Sequence, residues 1–99
     1  MAILITAAAD SAAHRLARML GESEVIFADQ QSLPVFFGKV FVKIPSPESA
    51  TFTHEILKFC LDYKVTEIYP LKNDELRELS IARQLFEEYG IRIMDHHNQ

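Results

Sequence analysis

The chain predicts a doubly wound α/β domain: one sheet of about five mostly parallel strands, ordered 3-2-1-4-5, with helices on both faces. Three observations carry this. Ile3–Ile5 is a continuous apolar run, the pattern of a parallel strand covered on both sides, and Val25–Phe27, Val40–Ile44, Thr66–Tyr69 and Ile91–Met94 read as four further strands. Stretches with helical spacing alternate with several of them, which calls for right-handed crossovers. The first strand also runs through a small-residue turn, Thr6-Ala7-Ala8-Ala9, straight into an amphipathic helix.

That helix opens at Ser11, with Ala12, Ala13, Leu16, Ala17 and Leu20 toward the sheet and His14, Arg15 and Arg18 toward solvent. Asp10 or Ser11 caps it by accepting from free first-turn amides, and Gly21 suits the left-handed residue that ends a helix. The second strand closes at Ala28-Asp29. Residues 30–38 are irregular, punctuated by Pro34 and Gly38, and Phe36 and Phe37 within them are read as core. The third strand follows after a short connection without a clear helix, so a hairpin over Phe36–Val42 is an open alternative.

Pro45-Ser46-Pro47-Glu48 is a stop followed by a helix start, capped by Ser46 or Ser49, with Phe52, Ile56, Phe59 or Cys60, and Tyr63 as its apolar stripe. Pro70 closes the fourth strand. Leu71 to Glu75 leads into one long helix, with Asn73 as cap and Asp74 and Glu75 at the positive end of the dipole. Its buried face reads Leu76, Leu79, Ala82, Leu85, Phe86 and Tyr89, and Gly90 ends it. Residues 1–95 form a single domain and 96–99 a polar tail.

Composition narrows the function classes. A chain of 99 residues with 48% hydrophobic and 24% charged residues is that of an ordinary globular domain. The net charge of −4, without a basic stripe, argues against nucleic acid as a partner. No apolar run reaches membrane-spanning length, and the first residues read as a strand rather than a signal peptide. The lone Cys60 has no partner for an internal disulfide, which fits a cytoplasmic location. Cys60 reads as a small buried hydrophobe rather than a nucleophile. His14, His54, His96 and His97 lack metal-ligand spacing, so no metal site is expected.

A strand, a tight turn and a helix start at one point make a place for phosphate, because free amides and the helix dipole converge there. Against the T-G-x-x-G-x-x-G pattern of nucleotide-sugar epimerases and short-chain dehydrogenases, the chain has Thr6, then Ala7, Asp10 and Ala13 at the glycine positions. Each β-carbon restricts the turn, and Asp10 brings negative charge where phosphate would lie. A helix start with a capping Asp is therefore preferred to a degenerate nucleotide loop. Asp29 stands near where a Rossmann protein holds a ribose hydroxyl, although a turn-forming Asp at a strand end is preferred there.

With strands one and four leaving in opposite directions, the ligand crevice falls at their carboxyl ends. Its candidate residues are Ala7, Ala8, Ala9, Asp10, Ser11, Asp29, Lys72, Asn73, Asp74 and Glu75. Lys72 is the one cation among them, and the acids can accept from a hydroxyl or amine. The set suits a small polar molecule, and no activated nucleophile or acid–base pair is recognisable in it, so no catalytic residue is assigned.

Taken together, "ILIT" with its small-residue loop, "HRLAR", "VIFAD", "VKIPSPES", "EIYPLKNDEL" and "LFEEYGIRI" resemble the pre-ATP-grasp domain of carbamoyl-phosphate-synthase-like and biotin-carboxylase-like ligases. The likeness spans nearly the whole chain. Its most telling piece is the strand-Pro then acidic-Leu step at Ile68 to Leu76. The resemblance implies a Rossmann-like three-layer sandwich with a non-catalytic role, helping to bind an acceptor substrate or docking on an ATP-grasp core in cis or in trans. ATP and magnesium would be held by that core and not by this chain. Since the sequence stops after the fifth strand, the resemblance implies an excised first domain or a stand-alone companion of a separate ATP-grasp chain. Two alternatives stand beside it: a degenerate NAD(P)- or nucleotide-binding Rossmann domain of epimerase or reductase type, and an interaction domain that forms a homodimer.

Overall fold

The computed structural model describes residues 2–21, 24–31 and 40–94. Five strands form one all-parallel sheet in the order β3-β2-β1-β4-β5. They are β1 (Ala2–Ile5), β2 (Glu24–Asp29), β3 (Val40–Lys43), β4 (Val65–Tyr69) and β5 (Arg92–Ile93). The predicted architecture and strand order therefore hold. β3 pairs with β2 in parallel from Ile26↔Val40 to Asp29↔Lys43, and the hairpin alternative over Phe36–Val42 turns on residues that lie outside the described ones. Phe36, Phe37, His96 and His97, and the tail at 96–99, lie outside the described residues.

The strands' alternation feeds two cores. Ile3, Ile5 and Phe27 pack against α1 (Ser11–Leu20) through Ala13 and Leu16 on one face. Leu4, Ile26 and Ile68 meet three helices on the other, α2 (Phe52–Asp62), α3 (Asn73–Ile81) and α4 (Arg83–Glu88). Both faces of β1 are thus covered, which is why its sequence is apolar without alternation. Burial also pushes the Cys60 thiol up to about 12, so it packs as a small hydrophobe and resists becoming a thiolate.

Three local expectations are corrected. The proposed caps Ser46 and Ser49 instead accept from Glu48 N–H and Thr51 N–H, forming two serine turns ahead of α2, whose cap position is Thr51. Tyr63 leaves the stripe and lies exposed. The single helix expected over 73–89 is broken at Ala82, which ends α3 and starts α4. Arg83 anchors the break by donating to the Ile93 carbonyl at 2.9 Å and to Ser80 Oγ at 3.3 Å. Leu79 and Phe86 are both fully buried, while Leu85 and Tyr89 turn outward. Among the described residues no helix is long and apolar enough to cross a membrane.

Candidate functional site

The loop between β1 and α1 is tied down by its own backbone. Thr6 N–H donates to the Tyr69 carbonyl, Ala8 N–H to Ala28, Asp10 N–H to Ala7 and Ala13 N–H to Asp10. Asp10 caps α1 as expected, its Oδ1 accepting from Ala12 N–H at 3.0 Å. Ala7, at the first glycine position of the nucleotide pattern, adopts φ 55°, the left-handed conformation that favours glycine. An L-residue pays about 1 kcal/mol for that conformation. Relief of that strain, less the extra freedom of the unfolded glycine of about 0.4–1 kcal/mol, should let Ala7→Gly raise stability by up to about 0.5 kcal/mol in chemical denaturation.

Asp29 fastens the loop from across the sheet. It is only 2% exposed, with Oδ2 accepting from Ala9 N–H at 3.0 Å and Oδ1 from Gln31 N–H at 3.0 Å. The second bond is the turn chemistry expected of an Asp at a strand end. The first reaches back twenty residues. Thr6 does the equivalent on the neighbouring side: its buried hydroxyl accepts from Leu71 N–H at 2.9 Å, joining β1 to the start of the β4–α3 loop.

At the carboxyl ends of the strands these ties leave a crevice of roughly 450 Å³. Of the candidate residues, Ala7, Ala9, Asp10, Ser11, Asp29 and Lys72 line it, joined by Gln31, which sequence reasoning missed. Ala8 is instead buried in the core beneath α1. Its carbonyl accepts from His14 Nε2–H at 2.9 Å, and the His14 ring stacks on Phe27 with centroids 4.7 Å apart. His14 is therefore half-buried rather than solvent-facing. Asn73 is the first residue of α3 and the cap position falls to Lys72; Asn73 and Asp74 are exposed and do not line the crevice. Glu75 is buried on the far face of the sheet, behind the crevice.

The lining sets what can bind. The amides of Ala8, Ala9, Asp10, Ala12 and Ala13 are all taken by protein acceptors, so the loop offers no cluster of them to an anion. A carboxylate from Asp10 stands at the helix mouth, and Asp29 adds a second acid against the one cation, Lys72. Acceptors able to bind hydroxyl or amine donors remain. Among the described residues no group of three or more His, Cys, Asp or Glu side chains is placed to hold a metal ion.

No protein-family model and no curated protein matches the sequence. Among solved structures, the chain is similar to a GalE-like L-threonine dehydrogenase from Cupriavidus necator, in its holo form, with a TM-score of 0.65 and 18% identity. The match covers 86% of this chain but 34% of that one, so the chain spans about a third of the dehydrogenase's length. At that identity the likeness shows the fold, which is Rossmann-like.

Proposed function

We propose that the chain is a non-catalytic, Rossmann-like binding domain that keeps the nucleoside side of a nucleotide site and has lost the diphosphate side. The observation that carries this reading is Asp29: an acid at the end of β2, buried, fixed by two backbone amides and lining the crevice. Its two amide bonds leave further lone pairs to accept from a diol. The filled amides of the loop and the Asp10 carboxylate oppose a diphosphate next to it. This favours the degenerate nucleotide-domain alternative, with the dehydrogenase likeness consistent in fold. Catalysis would need a substrate-bearing partner or domain, since the described residues of the crevice present no acid and base hydrogen-bonded to one another.

Calorimetric titration with adenosine, NAD and ATP tests it. Adenosine should bind, and the diphosphate of NAD should add nothing. Asp10→Gly, which removes the charge and the β-carbon at the helix mouth, should then strengthen NAD binding about tenfold or more while leaving adenosine unchanged. Binding of NAD by the unaltered chain far more tightly than adenosine would refute the lost-diphosphate reading, and silence with every nucleoside would refute the nucleoside one.

A second reading, the pre-ATP-grasp companion, rests on the strand-Pro then acidic-Leu step, which brings Lys72 into the crevice and Glu75 behind it. In that role the crevice takes a small polar acceptor substrate, and ATP with magnesium stays on the separate core. A thermal shift with amino acids but not adenosine would favour it.

A further inference from the structure

Behind the crevice lies a buried acid that the nucleoside reading does not use. Glu75 is 1% exposed, its Oε2 accepts from Gln30 Nε2 at 3.2 Å, and its Oε1 has no partner in hydrogen-bonding geometry among the described residues. Thr6 faces the same carboxyl from the end of β1. Gln30 immediately precedes Gln31, and Glu75 follows Lys72 by one helical turn. Gln31 and Lys72 line the crevice from two separate segments, the exit of β2 and the β4–α3 loop. The Gln30–Glu75 bond therefore joins those two walls from behind.

A carboxyl in this position is better satisfied as an acid than as an anion. One neutral amide, with a neutral hydroxyl facing an oxygen that solvent does not reach, is poor support for a negative charge. A proton on the unpartnered oxygen turns it into a donor, with the Thr6 hydroxyl oxygen facing it as an acceptor. Once ionised, Glu75 can regain hydration only by leaving its site, and leaving breaks the bond to Gln30. We propose that the Gln30–Glu75 contact is a proton-controlled tie, which holds the crevice walls together in acid and releases them as Glu75 ionises.

The charges around it agree. Burial chiefly, with the Asp74 carboxylate adding to it, pushes Glu75 above the usual glutamate range; the facing Thr6 hydroxyl, the Gln30 amide and the Lys72 charge pull it back only in part. Lys72 and Asp74 belong to the cap and first turn of its own helix, while Thr6 and Gln30, the groups facing it from β1 and the β2 exit, do not titrate. Asp29 is bound toward the other side of the sheet, at Ala9. The inference is independent of any ligand.

Amide hydrogen exchange at Gln31 and Lys72, corrected for the intrinsic effect of pH, tests it together with a carbon-13 titration of the Glu75 carboxyl. From acid to neutral pH both amides should lose protection relative to the core strands, by about tenfold for each unit by which the carboxyl titrates above an ordinary glutamate. Glu75→Gln keeps an oxygen for Gln30 and should flatten that profile. An identical profile in Glu75→Gln, or a Glu75 carboxyl titrating at the ordinary value, overturns the proposal. The second measurement uses the unaltered chain and decides the matter even if the variant does not fold.

Discussion

Replacing Phe86 with alanine should cost about 3–5 kcal/mol, the range for emptying a fully buried aromatic site. Phe86 is 0% exposed in the core shared by α2, α3 and α4. It also sits just past the Ala82 break, and its carbonyl accepts from Ile91 N–H at 3.0 Å, holding the chain where it turns back toward β5. Loss of the ring thus removes apolar burial and loosens the lead into an edge strand of only two residues. A domain of this size has on the order of 5–15 kcal/mol to lose, so the variant should stand close to unfolded at 25 °C. Urea denaturation followed by far-UV circular dichroism measures it; a loss below about 1 kcal/mol would mean the site collapses and the two-core description is wrong.

Asp29→Ala should cost about 3 kcal/mol, for a reason unrelated to hydrophobic burial. Two backbone amides, of Ala9 and Gln31, lose a charged acceptor at once, and a hydrogen bond to a charged group contributes about 1.5–3 kcal/mol. Water entering the cavity recovers part of that sum. Asp29→Asn keeps the shape but one carbonyl oxygen, so it should lose roughly half as much. Amide exchange separates the two ties: Ala9 should lose protection in the alanine variant well beyond the global loss, because only Asp29 holds it. Equal stability of Asp29→Ala and the parent chain would show that the loop is held by its backbone bonds alone.

The stability of the chain should also fall as pH rises through the titration of Glu75. Its folded-state pKa is raised above the unfolded value, so the native state binds the proton more tightly. The stabilisation is fully present below about pH 4.5, the unfolded value. It is lost progressively as pH climbs to the higher folded value.

What could be read from the residues divides by the range of the interactions. Ile3–Ile5 and Val25–Phe27 announce themselves because burial on both faces of a parallel sheet forbids polar alternation, and strand order follows from the crossover rule. Asp10 was legible as a cap because a cap is a contact between residues two apart. Asp29 was half legible: its bond to Gln31 is local, but its bond to Ala9 exists only once β1 and β2 lie side by side. Glu75 reads from sequence as a crevice acid favoured by a helix dipole, because nothing in its own helix reveals that Thr6 and Gln30 meet it. The Ala82 break carries no glycine or proline, and it is set by Arg83 reaching β5. Leu85 and Tyr89, apolar residues read into the buried stripe, lie exposed in the fold. Gln31 drew no attention since a lone glutamine after a strand has no chemical signature.

The central claim is that the crevice at the ends of β1 and β4 accepts a ribonucleoside through Asp29 and refuses a diphosphate through Asp10 and the occupied loop amides. Amide chemical-shift mapping with adenosine and then NAD tests it residue by residue. Adenosine should move Ala7, Ala9, Gln31 and Lys72, and NAD should move the same amides no further at equal concentration. Shifts confined to another face of the molecule, or NAD-specific shifts at Ser11 and Ala12 in the unaltered chain, would contradict it.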